Sequence, residues 1–589
     1  MRATPAVAEA VTARGPRART AERPDAKQSP GRPAAVAAVA AALLVGVAVV
    51  AASLSRSPAD WGDLAVIQVQ VARALHLHVL VGPYSRFGWH DLGPVYFYAL
   101  APFYLLGGQT TASLFLGALM VNAGAAVATV VLVRRRMGEG MARWAGAVVA
   151  AYLVVTGSNA LTNPSNAAVL ALPLLLALVL VALGGAGSWA CLVWAGVIGS
   201  FLVQTHISTV PEVAVALVVG LVARTLPSAG GPRSGGGGPG SVLARIGLVS
   251  GIALIALMWV APVYQQVAPG PGSAGNIGAV VRFFLAGGHG GARSVHPLGQ
   301  AARAVVDQLA FLPLGQPGAG AVVAAAPGRL SIAALYLVVA VVVTAAGLAR
   351  RRRLPAILGL LTLTGTWTAV FAATRVVGPL HGYFLQWMTV LPVPALIGAG
   401  LVVQDRKLGR PAGDVLSPEG PVRSARDHHA RHSRRRRPAP TLRRSGRIAL
   451  LVAVLVPAAG LGWAFDHGSV GSLAPTPAVP TVARAATSGL ERLHSHGVLV
   501  RIASHDLWPI AAGVVVDLRK EGFDVSISEP WPGIFGPEFR RDGTETAEVV
   551  LADESRPGAP APPAGATTVP SRFGATTVWA APLGPGGGG

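Results

Sequence analysis

Two short runs near the start of the chain hold the residue types that can do chemistry: Asp60-Trp61-Gly62-Asp63-Leu64-Ala65, and GPYSRFGWHDLGPVYFY from Gly82 to Tyr98. In them the carboxylates Asp63 and Asp91 flank Arg86 and His90. A carboxylate held beside a membrane can take a proton from a sugar or protein hydroxyl. A guanidinium can bind a departing phosphate through two parallel N–H···O bonds. Gly82, Pro83, Gly88, Gly93 and Pro94 give the second run fixed turns rather than a continuous helix. The plain alternative is a solvated loop whose charges anchor it at an interface. The interleaving of these charges with Trp, Gly and Pro argues against a uniform polar face.

Further polar groups recur at the ends of apolar runs. Gln204-Thr205-His206 closes one run, Asn159, Asn163 and Asn166 sit in a short loop, Gly275-Asn276 precedes Arg282, and Arg375 and His381 follow another run. A lone histidine at a helix end is more often an interface residue than a catalyst, so His206 gains weight only from its company. Together these groups suggest an outward-facing site for a polar or anionic ligand.

The elements that must position them are membrane helices. Of 589 residues 52% are hydrophobic and only 13% charged, with mean hydropathy +0.53. A soluble domain of this size rarely carries so few charges. The net charge of +22 sits in short Arg clusters between apolar runs, as in cytoplasmic loops, and not on one basic face. Nucleic acid is therefore not an expected partner. The lone cysteine, Cys191, lies in an apolar run and reads as a small packing residue.

Apolar spans are expected near 34–54, 109–133, 142–157, 167–183, 188–205, 207–223, 246–263, 331–348, 355–373, 384–403 and 448–465, about 11 transmembrane helices in an all-α polytopic domain. With the N-terminus inside, this count puts Arg134-Arg135-Arg136, the 224–245 loop, Arg350 to Arg353 and the 404–447 linker on the cytoplasmic side. Residues 1–33 then form a disordered basic cytoplasmic tail, and 55–108 and 264–330 are outer loops. Leu92 to Leu106 breaks the parity if it crosses. It is read as a re-entrant or interfacial helix whose Tyr96, Phe97, Tyr98, Phe103 and Tyr104 form an interfacial aromatic belt. Asp427-His428-His429 with His432 lacks further metal ligands and stands beside Arg434 to Arg437, so it reads as solvated linker.

After the last span the chain carries a small extracytoplasmic α/β domain, 466–555. It has strands at 497–502, 523–528 and 547–551 and a helix at 507–521, but no Gly-rich phosphate loop, so no catalysis is assigned to it. The Pro/Ala/Gly-rich end, 556–589, reads as disordered.

The runs GDLA and GPYSRFGWHDLGPVYFY, QTH ahead of a span, WVAPVYQQ followed by Gly275-Asn276, and Arg375-Val-Val-Gly-Pro carry a resemblance. Across roughly 34–403 the chain resembles actinobacterial multi-spanning proteins of the GT-C glycosyltransferase superfamily, similar to the family 39 and protein mannosyltransferase-like members. That resemblance implies a GT-C-like fold and a plasma-membrane enzyme using a polyprenyl-phosphate sugar donor. It implies an extracytoplasmic glycan, lipid or protein as acceptor. Asp63 matches the acidic residue that acts as general base, with Arg86, His206 and Arg375 as candidates for donor phosphate or sugar. His90 and Asn276 join them as candidate binding residues. The chain departs from the family where His90-Asp91-Leu92-Gly93-Pro94 replaces His-Pro-Gly-Pro; Asp91 is then either an extra site acid or a sign of lost activity. A divalent metal between Asp63 and another outer-loop acid is compatible with this reading, but no ligand set is visible and no cofactor is identified. A lipid-linked glycan flippase and an inactive membrane scaffold are the rival readings; the first requires charged or broken-helix residues near the bilayer midplane.

Overall fold

The computed structural model describes residues 61–225, 240–269, 275–285, 296–315, 327–408, 478–571 and 574–583. The expected spans 34–54 and 448–465, the tail 1–33 and the linker beyond Leu408 lie outside the described residues. The chain enters through two short helices, α1 (Gly62–Leu75) and α2 (Val95–Leu106). The long helices follow: α3 (Thr111–Met137), α4 (Glu139–Thr162), α5 (Ala171–Gly185), α6 (Trp189–Thr205), α7 (Val210–Thr225) and α8 (Gly240–Val267). Two amphipathic helices, α9 (Asn276–Leu285) and α10 (Leu298–Leu309), precede α11 (Pro327–Ala349), α12 (Arg353–Thr374) and α13 (Pro392–Leu408). Each expected span inside the described residues is a helix, and seven helical segments are long and apolar enough to cross a membrane.

Apolarity makes these helices but does not say where each one sits. Ala168–Gly185 has mean hydropathy 2.7 and is wholly buried, whereas Arg245–Val267, at 2.3, is 11% buried. The first is the central post, packed by α3, α6, α7 and α12; the second lies on the rim. Lipid is as apolar as leucine, so hydrophobicity alone cannot choose between them. Close backbone approach helps decide: a Cβ on Gly359 of α12 would stand 2.6 Å from the Ala340 carbonyl of α11. α12 also sets the vertical scale. Its ends carry Arg353 and Arg375, about 33 Å apart at 1.5 Å per residue, close to one hydrocarbon thickness.

The aromatic-belt reading of α2 fails for three of its five rings. Its 12 residues span about 18 Å, too short to cross a bilayer. Tyr96, Phe97 and Tyr104 are buried against Ile67, Val71, Leu114 and Phe115, and the Tyr96 hydroxyl donates to the Pro164 carbonyl. These three rings pack α2 between α1 and α3.

The C-terminal domain opens with α14 (Ala478–Arg492), then alternates β1 (Gly497–Ile502), α15 (Trp508–Lys520), β2 (Asp524–Ile527) and β3 (Ala547–Ala552). It closes with β4 (Thr567–Ser571) and β5 (Gly574–Pro582), so the expected disorder after 556 is wrong for those strands. The sheet order is β2-β1-β3-β5-β4, parallel across β2-β1-β3 and antiparallel from β3 outward. The strands were hard to read because Pro570 and several Thr dilute their apolar alternation.

Nor is this domain separate. Ala65, Val66 and Val69 of α1 enter its hydrophobic core beside Ile510, Val514 and Val515. Gln70 Nε2 donates to the Ile534 and Phe535 carbonyls at 2.9 Å each. Arg73 pairs with Glu538 and donates to the Phe535 and His78 carbonyls. Arg73→Ala removes the donor to the His78 carbonyl and the partner of Glu538, while the Phe535 carbonyl keeps only Gln70 Nε2. We expect docking to weaken by about 2 kcal/mol, discounted because Glu538 is partly exposed, and amide exchange at 531–539 to quicken correspondingly by hydrogen-exchange mass spectrometry.

Candidate active site

The second chemical run folds as a hairpin. Gly82 N–H donates to the Asp91 carbonyl at 3.0 Å, Asp91 N–H to Pro83 at 2.8 Å, and Ser85 N–H to Trp89 at 2.9 Å. The turn closes through Gly88, at φ +79°, and Arg86 stands at the tip. A side chain at Gly82 would meet the Gly93, Asp91 and Gln204 carbonyls within 2.8 Å, so the hairpin can lie flat on α6 only with glycine there. The tip reaches the loop after α12, where Arg86 Nη2 donates to the Val377 carbonyl at 3.0 Å. Gly378, at φ +88°, makes room: a Cβ there would stand 2.4 Å from Arg86 Nη2. Gly378→Ala is expected to displace the guanidinium from the Val377 carbonyl and to lower activity, by no more than Arg86→Ala does when the two variants are assayed side by side.

Hairpin, helix ends and the C-terminal domain enclose a cavity of about 970 Å³. Asp63, Arg86, Asp91, Asn166, His206 and Arg375 all line it, together with Tyr84 and Tyr383. Residues separated by more than 300 positions in sequence thus share one chamber. The Arg134, Arg224 and Arg353 groups lie at the opposite ends of α3, α7 and α12.

The two acids differ. Asp91 is 5% exposed; its Oδ1 accepts from Ile207 N–H at 2.7 Å and its Oδ2 from Asn166 Nδ2 at 3.3 Å. Burial holds its carboxyl well above the usual range, opposed by these two bonds. It pins the turn ahead of α7 to the hairpin and so positions His206, while still lining the cavity. Asp63, in the first turn of α1, makes no hydrogen bond or ion pair among the described residues and faces the open cavity. It is accessible to a ligand-sized volume yet walled by protein, and burial raises its pKa. Tyr84 feels both charges of the site: burial and Asp63 raise its pKa while Arg86 lowers it. Asp91→Asn keeps an acceptor for Ile207 N–H, so activity should largely survive; Asp91→Ala should lose thermal stability, read by a melting curve, because the half-buried Ile207 N–H loses its partner and Asn166 Nδ2 keeps only the Thr205 carbonyl.

His206 has a defined tautomer. Ser208 N–H donates to Nδ1 at 3.2 Å, so the neutral ring carries its proton on Nε2, which has no partner among the described residues. Burial lowers its pKa to about 4. It is a neutral N–H donor in the wall. Trp89 adds another: its indole N–H is buried and unpaired among the described residues. Arg86 lies over Phe87 and Arg375 over Phe371, 5.0 and 5.1 Å from the ring centres, and neither guanidinium has an acidic partner among the described residues.

Two expected binding residues are elsewhere. Asn276 Oδ1 accepts from His90 N–H at 2.8 Å, and its Nδ2 donates to the His90 and Asp91 carbonyls. His90 Nε2 is 3.1 Å from the Gly533 carbonyl, and burial lowers the ring's pKa to about 4. Both hold the hairpin in place and neither lines the cavity. His381 stacks on Tyr383 outside the lining, and Arg282 bonds back to Gly278. Sequence reasoning missed Tyr84, Tyr383, Phe283, Phe284, Phe371 and Phe384, and it missed His505, Trp508, Trp531 and Ile534 of the C-terminal domain. The last four join the wall only through docking of the C-terminal domain, and the others carry no local mark of facing a cavity. Among the described residues no three His, Cys, Asp or Glu side chains gather as a metal site.

The helical bundle with its docked α/β domain is a fold already seen in solved structures. The fold is that of ArnT from Cupriavidus metallidurans. The crystal structure bound to undecaprenyl phosphate superposes with TM-score 0.52 at 16% identity, covering 93% of this chain and 98% of that one. The apo structure gives TM-score 0.53 at 15% identity, with 92% and 98% covered. No protein-family model and no curated protein matches the sequence.

Proposed function

We propose that this protein is an integral-membrane glycosyltransferase that moves a sugar from a polyprenyl-phosphate donor to an extracytoplasmic acceptor with inversion. One observation carries the proposal: an unpartnered carboxylate shares a chamber with two guanidiniums that no described acid neutralises. Asp63 takes the proton of the acceptor hydroxyl. The freed oxygen attacks the anomeric carbon as the bond from that carbon to the phosphate oxygen breaks. The electron pair leaves with the polyprenyl phosphate, and Arg86 and Arg375 stabilise its growing charge. His206 Nε2–H and the Trp89 N–H donate to sugar or phosphate oxygens; a bond to the orphan indole removes a penalty of about 1–3 kcal/mol.

Support for the donor class comes from the shared fold with the ArnT structure that holds undecaprenyl phosphate. The gathering of Arg groups at the far helix ends favours an extracytoplasmic site. A flippase would need its polar residues near mid-membrane, whereas Asp63, Arg86, His206 and Arg375 all lie in loops or at helix ends. The test is transfer from a synthetic polyprenyl-phosphate sugar by the purified protein in lipid, with product anomers assigned by NMR. Inverted product is expected. Retention of configuration would remove the single-displacement mechanism, and failure to bind undecaprenyl phosphate would remove the donor assignment.

A further inference from the structure

The mechanism leaves one wall of the chamber unused, and that wall comes from the C-terminal domain. His505, Trp508 and Trp531 line the cavity, with the two indoles near parallel at 19° and 6.5 Å apart, and His505 5.0 Å from the Trp531 ring. Trp531 is 7% exposed and forms the firm part of the wall, while Trp508 is half-exposed and His505 exposed. His505 has no hydrogen-bond partner among the described residues.

This wall adjoins the base. Gly62, the residue before Asp63, packs against the domain so that a Cβ there would lie 3.5 Å from Pro509 Cβ, and Pro509 follows Trp508 directly. Tyr84, whose hydroxyl feels the Asp63 charge, also packs on the domain's core. The two arginines come instead from the hairpin tip and the end of α12, where exposed Trp367 and Phe371 offer an apolar flank. The chamber therefore has a cationic membrane side and an aromatic solvent side, with Asp63 on the border between them.

Resting on the transferase reading, we propose that His505, Trp508 and Trp531 form the acceptor subsite, and that the acceptor is a sugar. A pyranose presents one face of C–H groups and a rim of hydroxyls. Electron-rich indole faces accept the C–H groups, and a free imidazole can bond a rim hydroxyl. A serine side chain or a lipid alcohol has no such face. Stacking on Trp508 brings the next hydroxyl of the sugar to Asp63.

The test uses the full-length protein in nanodiscs with methyl glycosides of glucose, galactose, mannose and arabinose as probes, read by saturation-transfer NMR. Saturation of the protons on one ring face is expected for at least one glycoside. It should fall at least fivefold in Trp508→Ala, fall less in Trp508→Phe, and fall in the surface variant His505→Ala, which leaves the core intact. Undecaprenyl phosphate binding should be unchanged in all three. Absence of saturation from every glycoside, or saturation unchanged in both Trp508→Ala and His505→Ala, overturns the acceptor assignment while leaving the donor reading standing. Loss of undecaprenyl phosphate binding by the unsubstituted protein would instead overturn the donor reading.

Discussion

Asp63→Asn should lower sugar transfer by about 10²–10⁴-fold with undecaprenyl phosphate binding retained, the range expected when a positioned general base is lost. The substitution keeps shape and hydrogen bonding but cannot accept the acceptor's proton. Because Asp63 has no partner among the described residues, its neighbours lose no bond, and the melting temperature should not fall. The sign of the pH response follows from the same burial. Transfer needs the ionised carboxylate, so the rate falls as pH drops through the Asp63 pKa. Burial raises that pKa, which places the acid limb above the ordinary aspartate value of about 3.9. His206, held down to about 4, is neutral near neutrality and adds no limb there. A kcat/KM profile from pH 4 to 8 should show one acid limb that disappears in Asp63→Asn. A full-rate Asn variant would end its role as base.

Removing either cavity arginine should cost about 10²–10³-fold in kcat/KM, the magnitude seen when one preorganised donor to a developing anion is deleted. Arg86→Ala and Arg375→Ala act on the same phosphate charge, so the double variant should lose less than the product of the two. Lysine should restore only part of each loss, since a point charge lacks the guanidinium's fork. Arg86 carries a second signature. It is anchored on the Val377 carbonyl, so its lysine variant also frees the loop after α12. Transfer kinetics against donor concentration read both effects. Unchanged kcat/KM in both alanine variants would mean that the anion binds elsewhere.

Much of this was legible in the sequence for local reasons. A helix that must satisfy its own backbone in lipid announces itself by an apolar run of sufficient length, and each expected span within the described residues is helical. The hairpin was visible in Gly82, Pro83 and Gly88, because backbone freedom at a turn is a property of single residues. The alternation of 497–502, 507–521 and 547–551 gave most of the C-terminal sheet before β4 and β5.

Tertiary structure decided the rest. Asp63 and Asp91 are the same residue type 28 positions apart, one opening α1 and the other closing the hairpin, and only the bonds from Ile207 and Asn166, 116 and 75 positions from Asp91, turn one into a clamp and leave the other free. His90 and Asn276 looked like ligand contacts until their partners were known. α2 looked like a membrane belt because an aromatic side chain suits both a lipid interface and a protein core. The aromatic wall came from a domain 443 residues downstream of the hairpin, measured at the His90–Gly533 contact. Sequence determined which segments become helices, since that depends on each segment's own apolarity and backbone. The fold decided which polar atoms remain unsatisfied, because that depends on every group brought near them.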